Sequence, residues 1–161
     1  MVYLRGIRVG DALQLSHDDY QDGRIRVVEQ KTGKVQNIQV IAPLAEILNR
    51  YQGESEFYLF PILKQKPNDP KVDRRYQKHI ESKTTTLNKN YKLIAAYAGI
   101  KKKVTNHIAR HTFASFADRS GLDSRTISKM LNHSSLNVTE GYLGELRRSD
   151  ELDDAADKVF G

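Results

Sequence analysis

Between Thr105 and Tyr142 the chain places two histidines, an arginine and a tyrosine at spacings suited to phosphoryl transfer. His107 and Arg110 stand three residues apart, so on a helix they share one face. His133 and Tyr142 follow on the next two predicted helices. An arginine grips a phosphate through a planar fork, a histidine moves protons near neutral pH, and a tyrosine can attack as a nucleophile. A phosphodiester repels nucleophiles by its own charge, so metal-free transfer needs fixed cations at the non-bridging oxygens. The phenol, with a pKa of about 10, needs the same cations and a base to give up its proton. The sequence carries no P-loop and no acidic cluster of the two-metal type, which argues against Mg²⁺-dependent nucleases and transposases.

The order His107-x-x-Arg110-His111-Thr112-Phe113-Ala114, then Leu131-x-His133-Ser134-Ser135, then Thr139-x-x-Tyr142, resembles the catalytic half of the tyrosine recombinases, the phage-integrase family. Near the start, Gly6-Ile7-Arg8-Val9-Gly10-Asp11-Ala12-Leu13 is similar to that family's first-arginine motif, and Lys31-Thr32-Gly33-Lys34 resembles its hairpin lysine. These elements follow the family's order across nearly the whole chain. The resemblance implies that Arg8 and Arg110 clamp the phosphate and that Tyr142 is the nucleophile. It places His107 to accept the phenol's proton and His133 to hydrogen-bond a non-bridging oxygen, although a histidine before Ser-Ser could equally cap a helix. Lys31 maps onto the residue that protonates the departing 5′ oxygen, with Lys34 as the neighbour it could be confused with. Asp11, three residues after Arg8, could orient the first guanidinium through a charge-assisted pair. His111 is expected in packing or a supporting hydrogen bond, and His17 and His79 match nothing. Two positions depart from the pattern: Asn132 stands where a glycine is usual, and Ala109 where a bulkier apolar residue is common. One phosphodiester is exchanged for another, so no ATP, metal or other cofactor is implied.

These groups must be positioned by an α+β, mainly α fold: helices around a small three-stranded antiparallel sheet. The spacing of Leu4, Ile7, Ala12, Leu13 and Leu15 predicts a helical start. Strands are predicted over 15–20, 24–28 and 35–41, with Asp22-Gly23 as one turn and residues 31–34 as the hairpin tip. Pro43 opens a helix that ends near Gly53, and the apolar run 57–63 reads as a buried strand or a helical turn. A loop at 67–70 precedes two predicted helices, 72–81 and 85–98, with Gly99 as the stop. Then come a helix over 106–119 broken by Gly121, another capped by Asp123 or Ser124 and reaching Leu131, a short helix carrying Tyr142, and an amphipathic helix over 148–160.

The 161 residues read as one domain, 1–161, and the resemblance implies a fragment: a catalytic domain without its first helices or the family's preceding core-binding domain. With no cysteine, disulfides and thiolate catalysis are excluded. A net charge of +6 favours a polyanion, and its distribution adds to this. Residues 64–111 hold thirteen Lys and Arg against three acids, whereas 145–158 hold six acids against three bases. This fits a body facing double-stranded DNA, with Lys101, Lys102, Lys103, Arg74 and Arg75 as candidate contacts, and a tail directed elsewhere; both could also be solvated faces. The resemblance implies a homotetramer on DNA through segment 143–161 and a monomer for the isolated domain. No apolar run reaches the ~20 residues of a membrane span and no signal peptide stands out, so a cytoplasmic protein is expected. The function implied is site-specific recombination by an integrase of a phage or mobile element. A Xer-like resolvase shares the chemistry, and a non-catalytic helix-turn-helix DNA-binding protein is the alternative of a different class.

Overall fold

Asp22 and Gly23 both take positive φ, 48° and 71°, the backbone of the two-residue turn that matches the twist of an antiparallel hairpin. The computed structural model describes residues 1–64, 66–67, 73–141, 143–144, 147–148 and 158–159. In it the Asp-Gly turn joins β1 (Tyr20–Gln21) to β2 (Arg24–Val28), which runs back against β3 (Val35–Gln39) to give a three-stranded antiparallel sheet. Ile25 faces Ile38 and Val27 faces Gln36; these residues turn inward, while Arg24, Arg26 and Asn37 are exposed. The same alternation, carried one step past β2, buries Glu29.

Three expectations give way here. The first strand is two residues long instead of spanning 15–20, because Asp19 Oδ2 accepts from the Ser16 amide and hydroxyl at 2.8 and 2.7 Å. That capping box winds His17–Asp19 into a 3-10 turn. The helical start is broken: Arg5 and Gly6 take φ of 53° and 66°, leaving a 3-10 turn at Val2–Leu4 and a short α1 (Val9–Leu13). The apolar run 57–63 is neither strand nor helix. It makes one bridge, Ser16 to Tyr58, and buries Tyr58, Leu59 and Leu63 by folding over the core.

Helix α2 (Ala42–Arg50) starts with Pro43 in its first turn and buries Leu44 and Leu48, four residues apart on one face. Helix α3 (Arg74–Tyr97) is single, not two. Its Thr85 and Thr86 hydroxyls donate to the carbonyls of Glu81 and Ser82, at 3.0 and 3.1 Å, so the hydroxyl-rich middle stays helical. Gly99 at φ 70° ends the run. Helix α4 (Asn106–Arg119) is tied to the middle of α3: the Asn106 amide donates to Asn88 Oδ1 at 2.8 Å and its side chain to the Thr84 carbonyl at 3.3 Å. Asp123 caps α5 (Ser124–Leu131) by accepting the Arg125 and Thr126 amides. Residues 136–141 are helical again, and Leu143 is buried against Ala114, Ala117, Ile127 and Leu131.

One apolar cluster joins α1 to α3 through Leu13, Tyr76 and Ile80; the main core lies between the sheet, α1 and α2, and a third cluster between α4 and α5. The candidate site falls on the seam between the last two. Of the expected loop at 67–70 only Pro67 is described, and of the terminal helix only Arg148, Lys158 and Val159. Among the described residues no helix is long and apolar enough to cross a membrane.

Candidate active site

The seam is closed at Gly6. A Cβ there would meet the Arg110 Cα at 3.1 Å and Leu131 Cδ2 at 3.3 Å, and the backbone is left-handed, so only glycine lets α4 and α5 approach. Arg110 exploits the approach. Its Nη1 donates to the Gly6 carbonyl at 3.0 Å and its Nη2 to the Leu131 carbonyl, so one guanidinium ties the N-terminal segment, α4 and the end of α5 together.

Arg8 immediately precedes α1 and donates from Nη1 to Glu29 Oε2 at 2.8 Å. Glu29 has no solvent exposure; Thr32 Oγ1 donates to the same Oε2 at 2.8 Å and Gln36 Nε2 to Oε1 at 3.3 Å. Burial pushes this carboxyl up, but the hydrogen bonds from Thr32 and Arg8, the Arg8 charge and the nearby Asn132 amide outweigh it and hold it below the usual range. The expected Arg8–Asp11 pair does not form. Asp11 accepts the Gln30 amide at 3.0 Å, fastening α1 to the end of β2, and its Oδ2 is buried without a hydrogen bond. Burial raises the Asp11 carboxyl, with the Gln30 amide opposing it.

His133 follows the C-terminus of α5, where Asn132 takes φ 56°. Asparagine is the side chain that best tolerates this left-handed cap after glycine, so the departure from the family pattern keeps the same turn. The His133 amide returns to the Ser128 carbonyl at 3.0 Å, its Nδ1 lies 2.7 Å from the hydroxyl of fully buried Thr139, and its carbonyl accepts Lys34 Nζ at 3.2 Å. Burial first, then the charges of Arg110 and Arg8, push its imidazole down to about 4, so it is neutral at physiological pH.

Arg8, Lys31, His107, Arg110 and His133 line one cavity of about 350 Å³, with Thr32, His111, Asn132, Ser134 and Val138. His111, one turn beyond His107 on α4, shares this wall. An adjoining cavity shares Arg8, Lys31, His107 and Arg110. Lys31 reaches the cavity wall, whereas Lys34 is turned to the His133 carbonyl. Arg75 borders a different cavity with Lys66 and His79, and Arg74, Lys101, Lys102 and Lys103 are exposed. Tyr142 lies outside the described residues. Its neighbours are Gly141, which is exposed, and the buried Leu143. Among the described residues no group of three or more His, Asp or Glu side chains could hold a metal ion.

Sequence reasoning missed Glu29, Thr32 and Thr139. Glu29 was detectable as the next inward position after Ile25 and Val27, a charge where the pattern calls for an apolar residue. Thr139 carried a weaker signal, the threonine of the T-x-x-Y segment. Chemically, the cavity offers two guanidinium groups, an ammonium and a neutral imidazole to an anion the size of a phosphodiester.

A fold in which such a cation-lined cavity closes between a hairpin and two helices has close parallels. The phage integrase family profile matches residues 1–147, and this chain belongs to that family. Tyrosine recombinase XerA of Pyrococcus furiosus is 31% identical over 147 residues, covering 88% of this chain and 47% of that protein. Tyrosine recombinase XerC of Rhizobium meliloti is 27% identical, covering 89% of this chain and 43% of its own length. The chain thus spans about half the length of the curated relatives it matches. Among solved structures, XerA recombinase superposes with a TM-score of 0.57 at 25% identity, over 88% of this chain and 48% of that one. XerH recombinase in a post-cleavage complex with a palindromic difH substrate superposes with a TM-score of 0.63 at 20% identity, a likeness of fold, over 96% and 44%.

Proposed function

We propose that the chain is the catalytic part of a site-specific DNA recombinase that cuts and rejoins double-stranded DNA through a 3′-phosphotyrosyl intermediate. The observation that carries this is the convergence of Arg8, Lys31, His107, Arg110 and His133, from four separate stretches of fold, on one cavity. Arg8 and Arg110 hold the non-bridging oxygens of the scissile phosphate. Neutral His133, with Nδ1 accepting from Thr139, presents Nε2–H to one of them. The Tyr142 oxygen attacks phosphorus and its proton passes to His107. The P–O5′ bond breaks, and the departing 5′ oxygen takes a proton from the Lys31 ammonium. Running the same steps backward with a new 5′ hydroxyl rejoins the strands, and one phosphodiester replaces another without an energy source. Lys31 is preferred over Lys34 as the acid because Lys31 lines the cavity and Lys34 is spent on the His133 carbonyl.

Lys101, Lys102, Lys103, Arg74 and Arg75 are read as contacts to the DNA backbone, which position rather than specify. Segment 143–161 is read as reaching a neighbouring protomer in a tetramer on DNA, with the isolated chain a monomer. Integration or excision of a mobile element is the leading role. A Xer-type resolution role is the second reading, favoured by the names of the relatives above. A helix-turn-helix regulator built on α4 and α5 would leave the hairpin lysine and the Arg8–Glu29 pair without purpose.

The test is incubation with a randomised pool of nicked duplexes that lose a short fragment on cleavage and so trap the intermediate, at low ionic strength. The expected result is a covalent protein–DNA adduct that disappears in Tyr142→Phe. Binding without an adduct favours the regulator.

A further inference from the structure

Glu29 is fully buried, one residue past β2 and two before Lys31. A carboxylate removed from water is costly and persists only where partners hold it. Here a single oxygen, Oε2, receives both Arg8 Nη1 and Thr32 Oγ1, each at 2.8 Å, while Oε1 takes Gln36 Nε2 from the returning strand. Main-chain bonds close the turn it anchors, from the Glu29 amide to the Lys34 carbonyl at 2.9 Å and from the Gly33 amide to the Glu29 carbonyl at 2.8 Å, and the Gln30 amide is held by Asp11 on α1. The side chains of residues 31–34 are nonetheless all exposed, with Lys34 Nζ on the His133 carbonyl at 3.2 Å. Resting on the recombinase reading above, we propose that Glu29 is a positioning residue that sets Lys31 relative to Arg8, so that one carboxylate places both the proton donor and the phosphate clamp. Thr32 is its arm on the lysine side and the Arg8 ion pair its arm on the clamp side.

The two arms are separable by the chemistry of the leaving group. In the normal step the P–O5′ bond breaks and the 5′ oxygen takes the Lys31 proton. When sulfur replaces that bridging oxygen, the P–S bond breaks and a thiolate departs without a proton, because thiols are far more acidic than alcohols. Such a substrate bypasses Lys31 and leaves the arginine clamp as necessary as before.

The experiment measures single-turnover adduct formation on ordinary and 5′-bridging phosphorothiolate nicked duplexes. It uses the unaltered chain, Lys31→Ala, Thr32→Val and Glu29→Gln, with melting curves for each. Thr32→Val is expected to slow ordinary cleavage about tenfold by letting the lysine wander, and to cleave the thiolate substrate at nearly the unaltered rate. Glu29→Gln is expected to slow ordinary cleavage about a hundredfold, with the thiolate substrate recovering part of the loss because Arg8 has also lost its anchor. Added to Lys31→Ala, Glu29→Gln should cost less than it does alone. Unaltered rates in both variants, or equal slowing on both substrates, would overturn the proposal. If Glu29→Gln fails to fold, the exposed Thr32→Val variant decides by the same two outcomes. An unaltered chain that forms no adduct on either substrate overturns the recombinase reading itself, and the positioning role with it.

Discussion

The two walls of the cavity hold their arginines by different means. On the sheet wall Arg8 meets a buried carboxylate, Glu29; on the helical wall Arg110 donates to the main-chain carbonyls of Gly6 and Leu131. A carboxylate offsets the charge of the arginine it holds, whereas carbonyl dipoles fix the geometry and leave the positive charge in place. Both guanidinium charges lower the His133 imidazole, Arg110 more than Arg8. The sheet wall thus supplies a clamp whose charge is balanced and whose position is tied to the hairpin, with Lys31 beside it, and the helical wall a clamp fixed by main-chain carbonyls.

Replacing Arg110 should do the most damage, since it removes charge and structure together. Arg110→Ala is expected to cut adduct formation by about a thousandfold, and Arg110→Lys should not restore it, because an ammonium cannot fork between two carbonyls. A lysine variant with near-normal rates would break the contrast between the walls. On the sheet side the effect divides. Arg8→Ala strands Glu29 without its cation and should lower stability by about 3 kcal/mol, toward the low end for a buried pair because Arg8 is 32% exposed. Adding Glu29→Gln should recover much of that stability in urea unfolding while cleavage stays lost. A double variant no more stable than Arg8→Ala would mean that the ion pair is not what holds this wall.

The third expectation concerns pH. The His133 imidazole titrates near 4 in the folded chain against 6.5 when unperturbed, so between these values the unfolded state binds the extra proton. Stability should therefore fall as pH drops from about 6.5 toward 4, and His133→Gln should flatten that part of the curve. Glu29, held below its ordinary range, adds its own loss at the acidic end, so the comparison is between variant and unaltered chain at each pH. Equal slopes in the two proteins would remove His133 as the titrating group. The smallest effect is at the α5 cap. Asn132→Gly should change stability by less than about 1 kcal/mol, since both residues accept the left-handed backbone, whereas Asn132→Val, forced to φ 56°, should cost more. Equal melting temperatures for the glycine and valine variants would show that the cap is not under this constraint.

The same contrast marks what was legible in the sequence. Helices α4 and α5 follow local rules, a capping aspartate at 123 and glycine at 121, and they carry their functional residues at regular spacings. The hairpin was readable from Asp22-Gly23 and the alternation of β2. What failed was non-local or balanced between competing preferences. Whether Asp11 or Glu29 holds Arg8 is decided by how α1 meets the end of β2, since the Gln30 amide captures Asp11. Threonines at 85 and 86 weaken a helix by propensity, yet their hydroxyls bond back to the preceding turn and α3 continues. The 15–20 segment was lost to a capping box whose two residues, Ser16 and Asp19, were present in the sequence but read as strand.

The most direct test of the whole account is to map where the DNA becomes attached. The trapped adduct is digested with protease and nuclease and the modified peptide is sequenced by mass spectrometry. The expected result is a phosphonucleotide on the tyrosine at 142, formed by the unaltered chain and absent from Arg8→Ala and Arg110→Ala. Attachment at any other side chain, or an undiminished yield after both arginines are removed, would contradict it.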